Sequence, residues 1–577
     1  MNSFSNIIYL ACICCTLVHQ SYYFNRRRSN GYFQFGLYDS LLNYIQVVYR
    51  ILLLVHLDVD AVCACKILQA LLKSDNIAYT VVGVGGPQEL RSAYSQHCQD
   101  VRYAVLLGCG GALDLVELLQ PEEHIVFFVL DAHRPTDVCN VYSNGQVRLL
   151  GRQEAEQGGE GVPNFDDIFR DDDESEAEES SSDVDEGETA GASRVELLQQ
   201  RAERRRTRRR ERLAWEQNRD TLMFQYTQFS YYGQASAVRM MEVAWTLSKD
   251  SWEVLWWAAV GATEQLVLEK AEVAQYVLEA GALQAHAARL GHARGAEQAG
   301  LSVALEQDAR LALYRHWSLE EALKNSALSW ARLKLGGARG AVRLQRLLAD
   351  MGLPLKQARQ PHASMELGLR KEILPSLERL AEKYGLQEIL YPAFCARSGH
   401  SARLCAADAV YALLGLLETP QGFQRALLAL SFSEGSAELR RGIEAAKLKL
   451  RAAGKAVQGA LQGHHVQSAG PFLYLLLPEE GLGGRGWLGL LARWLQRGAP
   501  GGGRPLLLGA PGPEGRTILL GVPPLTDDST RKLVLLNIQL KCYIMNIDND
   551  CHNKYYWKQR VKIADQKFFV DNIIQIF

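Results

Sequence analysis

The sequence predicts an α/β fold with three parts: a parallel sheet covered on both faces, an all-helical insertion, and a smaller mixed α/β unit towards the carboxyl end. Three observations predict it. Between residues 51 and 131, continuous aliphatic runs alternate with amphipathic helical stretches, the pattern of strands buried on both faces. Residues 270 to 450 read as helix after helix. From about 471, "PFLYLLLP", "RPLLLGAP" and "RTILLGVPP" return to short strands between turns. With 577 residues, 47% of them hydrophobic, the chain can bury the cores of two or three globular units.

In chain order, "MNSFSNIIYLACICCTLVHQ" has the apolar length of a signal-peptide core, but no basic residue precedes it and no clear cleavage site follows. Its apolar run is short for a membrane span, so residues 1–46 are expected to be an atypical leader on an intracellular chain with no membrane contact. Strands follow at 51–57, 79–84, 103–108 and 124–131, with helices at 61–73, 87–98 and 112–119 between them. In such a sheet ligands gather at the carboxyl ends of the strands. Asp58 and Asp60 follow the first run, Gly108 to Gly111 the third, and Asp131 with His133 the fourth, so these positions should converge on one crevice.

Residues 171–188 hold 11 acids among 18 and almost no hydrophobes, so they cannot repay the entropy of ordering. Ser175, Ser180 and Ser182 each precede an acid by three residues, a pattern that acidophilic kinases favour. Residues 194–220 then read as a helix with ten arginines against four glutamates. Arg204, Arg205, Arg206, Arg208, Arg209 and Arg210 within it suit a nuclear-import signal, a phosphate-contacting surface or a solvated charged face. Across the whole chain 63 basic and 65 acidic residues nearly cancel to a net charge of -2, which excludes a uniformly polyanion-binding protein. The twelve cysteines show no small-domain framework and read as buried thiols of a reducing compartment.

In the middle, Ser318 and Glu321 form a capping-box pattern that starts a helix, with Gly336 and Gly337 ending it. Leu344, Leu347, Leu348 and Met351 then make one apolar stripe. In the last unit Trp487 and Trp494 are seven apart and should both be core. The tail from about Val534 carries few turn or cap signals and stands apart from the fold. The expected domains are 1–46, leader; 47–165 plus 214–270, sheet domain; 166–213, charged insertion; 271–395, helical region; 396–533, second α/β unit; 534–577, tail.

Two carboxylates one residue apart after a buried strand are hard oxygen ligands suited to divalent-metal phosphoester chemistry. They equally suit the capping of the helix that opens near Val62. "DVDAV" also fits the DxDx[TV] of haloacid-dehalogenase phosphatases, although "DAHRP" lacks the acidic pair that family uses. The larger set resembles the DHH phosphoesterase superfamily, which includes the RecJ exonuclease: "HLDVDA" (56–61) is similar to HxDxDG, and "DAHRP" (131–135) to DHHxP. Gly108 stands near the expected bridging Asp, and Ala132 stands where the first His of DHH would be. The resemblance therefore implies a degenerate site at His56, Asp58, Asp60, Asp131 and His133, with no catalytic residue, metal or cofactor. Glu264 is a loose match to a final acidic ligand. An active single-strand exonuclease is the alternative.

"DVDAVCACKILQALL", "DAHRPTDVCNVY", "FDDIFRDDDE", "RHWSLEEAL", "LADMGLPLKQ" and "GPFLYLLL" resemble stretches of the eukaryotic cell division cycle protein 45 family, over roughly residues 50–532. That resemblance implies a RecJ-like DHH domain followed by a smaller DHHA1-like α/β domain. It further implies a nuclear, non-catalytic subunit joining the MCM hexamer and the GINS tetramer in the replicative helicase, alongside origin-firing factors and the replicative polymerase. The helical region would meet the motor, with Lys324, Arg339 and Arg343 on the rim of that contact. Arg493, Arg497, Arg504 and Arg516 would line a groove for single-stranded DNA.

Overall fold

The computed structural model describes residues 50–99, 101–143, 145–150, 162–169, 194–227, 231–293, 301–337, 339–398, 403–431, 436–469, 472–477, 485–499, 504–511, 517–522 and 545–546. The leader, the acidic run and nearly all of the tail lie outside them. Among the described residues no helix is long and apolar enough to cross a membrane, and the seven described cysteines are free thiols.

The first unit begins with β1 (Arg50–His56), α1 (Val59–Ser74), β2 (Tyr79–Val84), α2 (Pro87–His97), β3 (Val101–Leu107), α3 (Leu115–Leu119) and β4 (Val126–Leu130). These are the predicted runs to within a few residues. After them come β5 (His133–Arg134), α4 (Val138–Val141) and β6 (Val147–Leu149). The sheet order is β2-β1-β3-β4-β6, with every pairing parallel. Alternate residues serve alternate faces, as the two-residue repeat of a strand requires. Leu53, Val55, Val105 and Leu107 pack with α1 into the main core, and Leu52, Leu54, Ala104 and Leu106 pack into a second core with Leu90 and Leu115. The strand order reverses direction between β1 and β3, and a switch point of this kind is where α/β sheets gather functional residues, at the carboxyl ends of the strands.

Next come α5 (Phe165–Ile168), α6 (Arg194–Thr227), β7 (Tyr231–Tyr232), α7 (Ser236–Thr246) and α8 (Trp252–Val267). The basic helix α6 is fastened near its end, where Tyr226 donates to the Thr136 carbonyl. Helices α7 and α8 cover α1. The helix α9 (Val273–Ala293) leads to β8 (Leu301–Ala309), which pairs antiparallel with β9 (Leu390–Ser398); β9 pairs in turn with β10 (Leu404–Cys405). The unbroken helical reading of residues 270–450 therefore needs correction, because the helical insertion is bracketed by two long strands. Leu301, Val303 and Leu305 alternate with Ser302, Ala304 and Glu306, a strand signal that the surrounding helical pattern masks.

Inside that bracket stand α10 (Leu319–Lys324), α11 (Ala327–Leu333), α12 (Gly340–Asp350), α13 (Leu355–Arg359) and α14 (Leu367–Tyr384). Ser318 caps α10 by accepting from the Glu321 N–H, as its spacing predicts. The helix does not run on to Gly336, however. Ser326 accepts from the Ala312 N–H and donates to the Ala322 carbonyl at the junction between α10 and α11. Leu344, Leu347, Leu348 and Met351 are all buried, so the chain itself covers that stripe.

The last unit holds α15 (Ala406–Leu417), α16 (Gly422–Ala429), α17 (Ser436–Gln462), β11 (Gln467–Ala469), β12 (Phe472–Leu476), α18 (Arg485–Gly498), β13 (Leu506–Pro511) and β14 (Thr517–Val522). Two residues of the tail, β15 (Met545–Asn546), add an edge strand to β14. Trp487 and Trp494 are buried on α18, as their seven-residue spacing predicts.

Candidate functional site at the switch point of the sheet

Asp58 is the N-cap of α1. Its extended backbone lets Oδ1 accept from the Ala61 N–H at 2.7 Å, so the helix starts at Val59 and not near Val62. Its Oδ2 lies 3.1 Å from His56 Nδ1 and 4.0 Å from Lys270 Nζ. Burial works against its charge, yet His56, Lys270 and the Ala61 N–H outweigh burial and hold the carboxyl well below the usual range.

Asp60 does something else. It is buried and accepts from the Ser236 N–H at 2.7 Å and the Ala237 N–H at 2.9 Å. These are free N–H groups at the start of α7, whose own N-cap, Ala235, makes no side-chain cap bond. Asp60 thus caps a distant helix and not its own. Burial and the neighbouring Asp58 charge push it up to about 6 in spite of the two N–H bonds. Asp60→Ala leaves both donors buried and unpaired, and is expected to lower unfolding stability by about 1–3 kcal/mol, read by denaturant titration.

Asp131 closes its own loop. Oδ2 accepts from the Gly111 N–H at 2.9 Å, while Oδ1 takes the His133 N–H at 3.0 Å and lies 2.6 Å from His133 Nδ1. Burial opposes ionisation, but the His133 charge and these bonds bring Asp131 down to about 2; burial also opposes the His133 charge, and the Asp131 carboxylate outweighs it and raises His133. His133 also pairs with Tyr232 across β5 and β7, which ties this loop to the segment entering α7. The His56 and His133 rings stand 6.1 Å apart, edge to face. All five residues read from the motifs therefore converge on one crevice.

Lys270, which the motifs did not point to, enters the same crevice. The chain leaves α8 through Glu269 in the left-handed region, and the Lys270 N–H returns to the Gln265 carbonyl. This turn folds the lysine back over α8. Its Nζ lies 2.7 Å from Glu264 Oε1 and 5.0 Å from the Tyr232 ring centre. Glu264 is fully buried, its Oε2 makes no hydrogen bond among the described residues, and burial pushes it up to about 7 even with the ammonium beside it. Burial also opposes the Lys270 charge, but Glu264, Tyr232 and Asp58 outweigh it and hold that pKa above the ordinary lysine value.

Gly108, at the end of β3, meets α1 at Ala61, a position that the motif reading did not single out. Gly108 has φ +67, and a Cβ built on it would lie 2.7 Å from the Ala61 Cβ and 3.6 Å from Asp58 Oδ1. Ala61 stands where HxDxDG has its glycine. A methyl group thus occupies the place in which a side chain on residue 108 would begin. Ala132, at the first His of DHH, is buried.

The other predicted site residues lie elsewhere. On α18, Arg497 is bound to Glu269 at 2.9 Å, and Arg310 approaches the same carboxylate at 3.6 Å, so Arg497 joins the two units. Arg493 donates to Gln496 Oε1 and Arg504 to Ser468 Oγ, while Arg516 lies outside the described residues. Arg339, the N-cap of α12, and Arg343 on that helix are exposed, and Lys324 is paired with Glu320. Arg205, Arg206, Arg208, Arg209 and Arg210 are exposed on α6, and Arg204 lies on the same helix.

A parallel sheet covered on both faces, with carboxylates and imidazoles gathered at the ends of β1 and β4, defines an α/β protein whose motif residues cluster at the switch point of its sheet. The family model described as CDC45 matches residues 51–436. The cell division control protein 45 homologs of Mus musculus and Homo sapiens are each 38% identical over 554 aligned residues, covering 91% of this chain and 97% of the relative. That span is longer than the 50–532 carried by the motifs. The crystal structure of CDC45 from Entamoeba histolytica shares the fold, with a TM-score of 0.59 at 20% identity over 85% of this chain and 87% of that one. The chain belongs to the CDC45 family and is a DNA replication factor.

Proposed function

We propose that this chain is a non-catalytic scaffold subunit of the replicative helicase, joining the MCM hexamer to the GINS tetramer in the nucleus during initiation and elongation. Support for the partner reading comes from family membership over nearly the whole chain. The observation that carries the non-catalytic reading is the state of the crevice carboxylates. Asp60 is spent on α7, Asp131 on its own loop, and Asp58 and Glu264 face an internal ammonium. Two-metal phosphoester hydrolysis needs carboxylates shared between ions about 3.5–4 Å apart, and Gly108 and Ala132 supply no donors for that purpose. Purified full-length chain is therefore expected to release no nucleotides from single-stranded DNA in Mn²⁺. Robust digestion abolished by Asp58→Asn would overturn this half of the reading.

The motor contact falls on α12. Its buried side carries Leu344, Leu347 and Leu348, and its opposite side exposes Arg339, Val342, Arg343 and Arg346, an apolar residue rimmed by charge. Lys324 contributes less, because Glu320 already pairs with it. Charge reversal at Arg339 and Arg343 is expected to cut capture of the MCM hexamer at least tenfold with an unchanged melting temperature. Normal capture by a normally folded variant would place the contact elsewhere.

Contacts with origin-firing factors and the replicative polymerase belong to the same proposal. Single-stranded DNA contact rests on Arg493 and Arg504, since Arg497 serves the ion pair with Glu269. The exposed arginines of α6 suit nuclear import. Phosphorylation of Ser175, Ser180 and Ser182 would add negative charge just before them.

A further inference from the structure

Four carboxylates gather at the switch point of the sheet, and the cation set against the most deeply buried of them is Lys270. Facing the crevice are His56 from β1, Asp58 and Asp60 at the start of α1, Asp131 and His133 after β4, Tyr232 from β7, and Glu264 from α8. Asp131 is balanced by His133 at 2.6 Å, and Asp60 by the two N–H groups of α7. Asp58 has His56 Nδ1 at 3.1 Å and the Ala61 N–H at 2.7 Å, with the Lys270 ammonium 4.0 Å away, whereas Glu264 is paired with that ammonium at 2.7 Å. Glu264 Oε2 is buried with no hydrogen bond among the described residues, an acceptor left over from this arrangement.

We propose that the Lys270 ammonium is the resident cation of this crevice, standing where a divalent ion would otherwise sit, so that the native chain excludes Mg²⁺ and Mn²⁺ and a latent cation site lies beneath the lysine. The inference rests on the non-catalytic reading and deepens it. A divalent ion bound by Glu264 would lie roughly 2.0–2.6 Å from its oxygen, the space that Lys270 Nζ now fills. Two cations at that separation in a poorly solvated crevice repel strongly. An ammonium also differs from a metal in chemistry: it offers three donors and one charge, with no open coordination position for water.

The test is Mn²⁺ binding to the full-length chain, followed by loss of the free-ion paramagnetic signal and by thermal denaturation. The wild type and Lys270→Arg are expected to bind no Mn²⁺ at the crevice, with a melting temperature that Mn²⁺ leaves in place. Lys270→Ala is expected to bind about one Mn²⁺ per chain and to gain roughly 2 °C or more in melting temperature on saturation. Adding Glu264→Gln to that variant should weaken binding at least tenfold. If Lys270→Ala is unfolded without metal, refolding in Mn²⁺ supports the proposal and failure to refold counts against it. Mn²⁺ binding by the wild type that Glu264→Gln removes overturns the proposal, as does a folded Lys270→Ala that binds none. Wild-type binding without nucleotide release would end this inference and leave the scaffold reading standing.

Discussion

Replacing Lys270 with methionine is expected to cost about 3–5 kcal/mol of unfolding stability at neutral pH, because removing one partner of a buried pair strands the other charge. Methionine keeps the linear shape of the side chain, so the loss reports charge and not volume. The loss should depend on pH. Burial already lifts Glu264 to about 7 in the wild type, above its ordinary value of 4.5, and without the ammonium it rises further. An acid whose folded pKa exceeds its unfolded one binds its proton more tightly when folded, so its stability contribution is present at low pH and is lost as pH rises through the folded pKa. The deficit relative to the wild type should therefore widen between pH 7 and about pH 9. A double variant, Lys270→Met with Glu264→Gln, removes both charges and is expected to recover most of the loss. Equal deficits in the single and double variants would show that Lys270 matters for packing alone. Denaturant titration at three pH values decides it.

Gly108→Asp, which would place a carboxylate where the DHH motif resemblance expects one, is expected to destabilise the protein by about 2–4 kcal/mol and to create no metal-dependent nuclease. Two costs combine. An L-residue at φ +67 pays roughly 1 kcal/mol or more of backbone strain. The new Cβ would also sit 2.7 Å from the Ala61 Cβ, which overpacks a rigid junction between β3 and α1. The clash is relieved by Ala61→Gly, so the Ala61→Gly, Gly108→Asp pair should be more stable than Gly108→Asp alone, even though Ala61→Gly by itself weakens the first turn of α1. Purely additive effects in a double-mutant cycle would show that the two positions do not compete for space.

Much of the frame was legible because its signals are local. The aliphatic runs that became β1 to β4 announce strands buried on both faces, and their carboxyl ends place Asp58, Gly108 and Asp131 together once the sheet is parallel. The cap at Ser318, the burial of Trp487 and Trp494 and the stripe from Leu344 to Met351 follow from helical spacing in the same way. The strands β8 and β9 were hidden because each is a single run whose partner lies across the whole helical insertion, with helical patterns on either side.

The sequence by itself determined the α/β class, the positions of the motif residues and the resemblance that led to the CDC45 family. Only the tertiary structure decided what those residues do. Asp60 looks like a ligand or a cap for its own helix, and it caps α7, 176 residues away. Lys270 carries no motif, yet the turn at Glu269 delivers its ammonium to Asp58 and Glu264. Gly108 stands out in the sequence as a departure from the motifs and Ala61 does not, yet the two meet in one small volume. The physical reason is common to all three: periodicity records which face of an element is buried, whereas the partner of a buried charge or methyl is set by which elements the fold brings against it, and that pairing has no local signature.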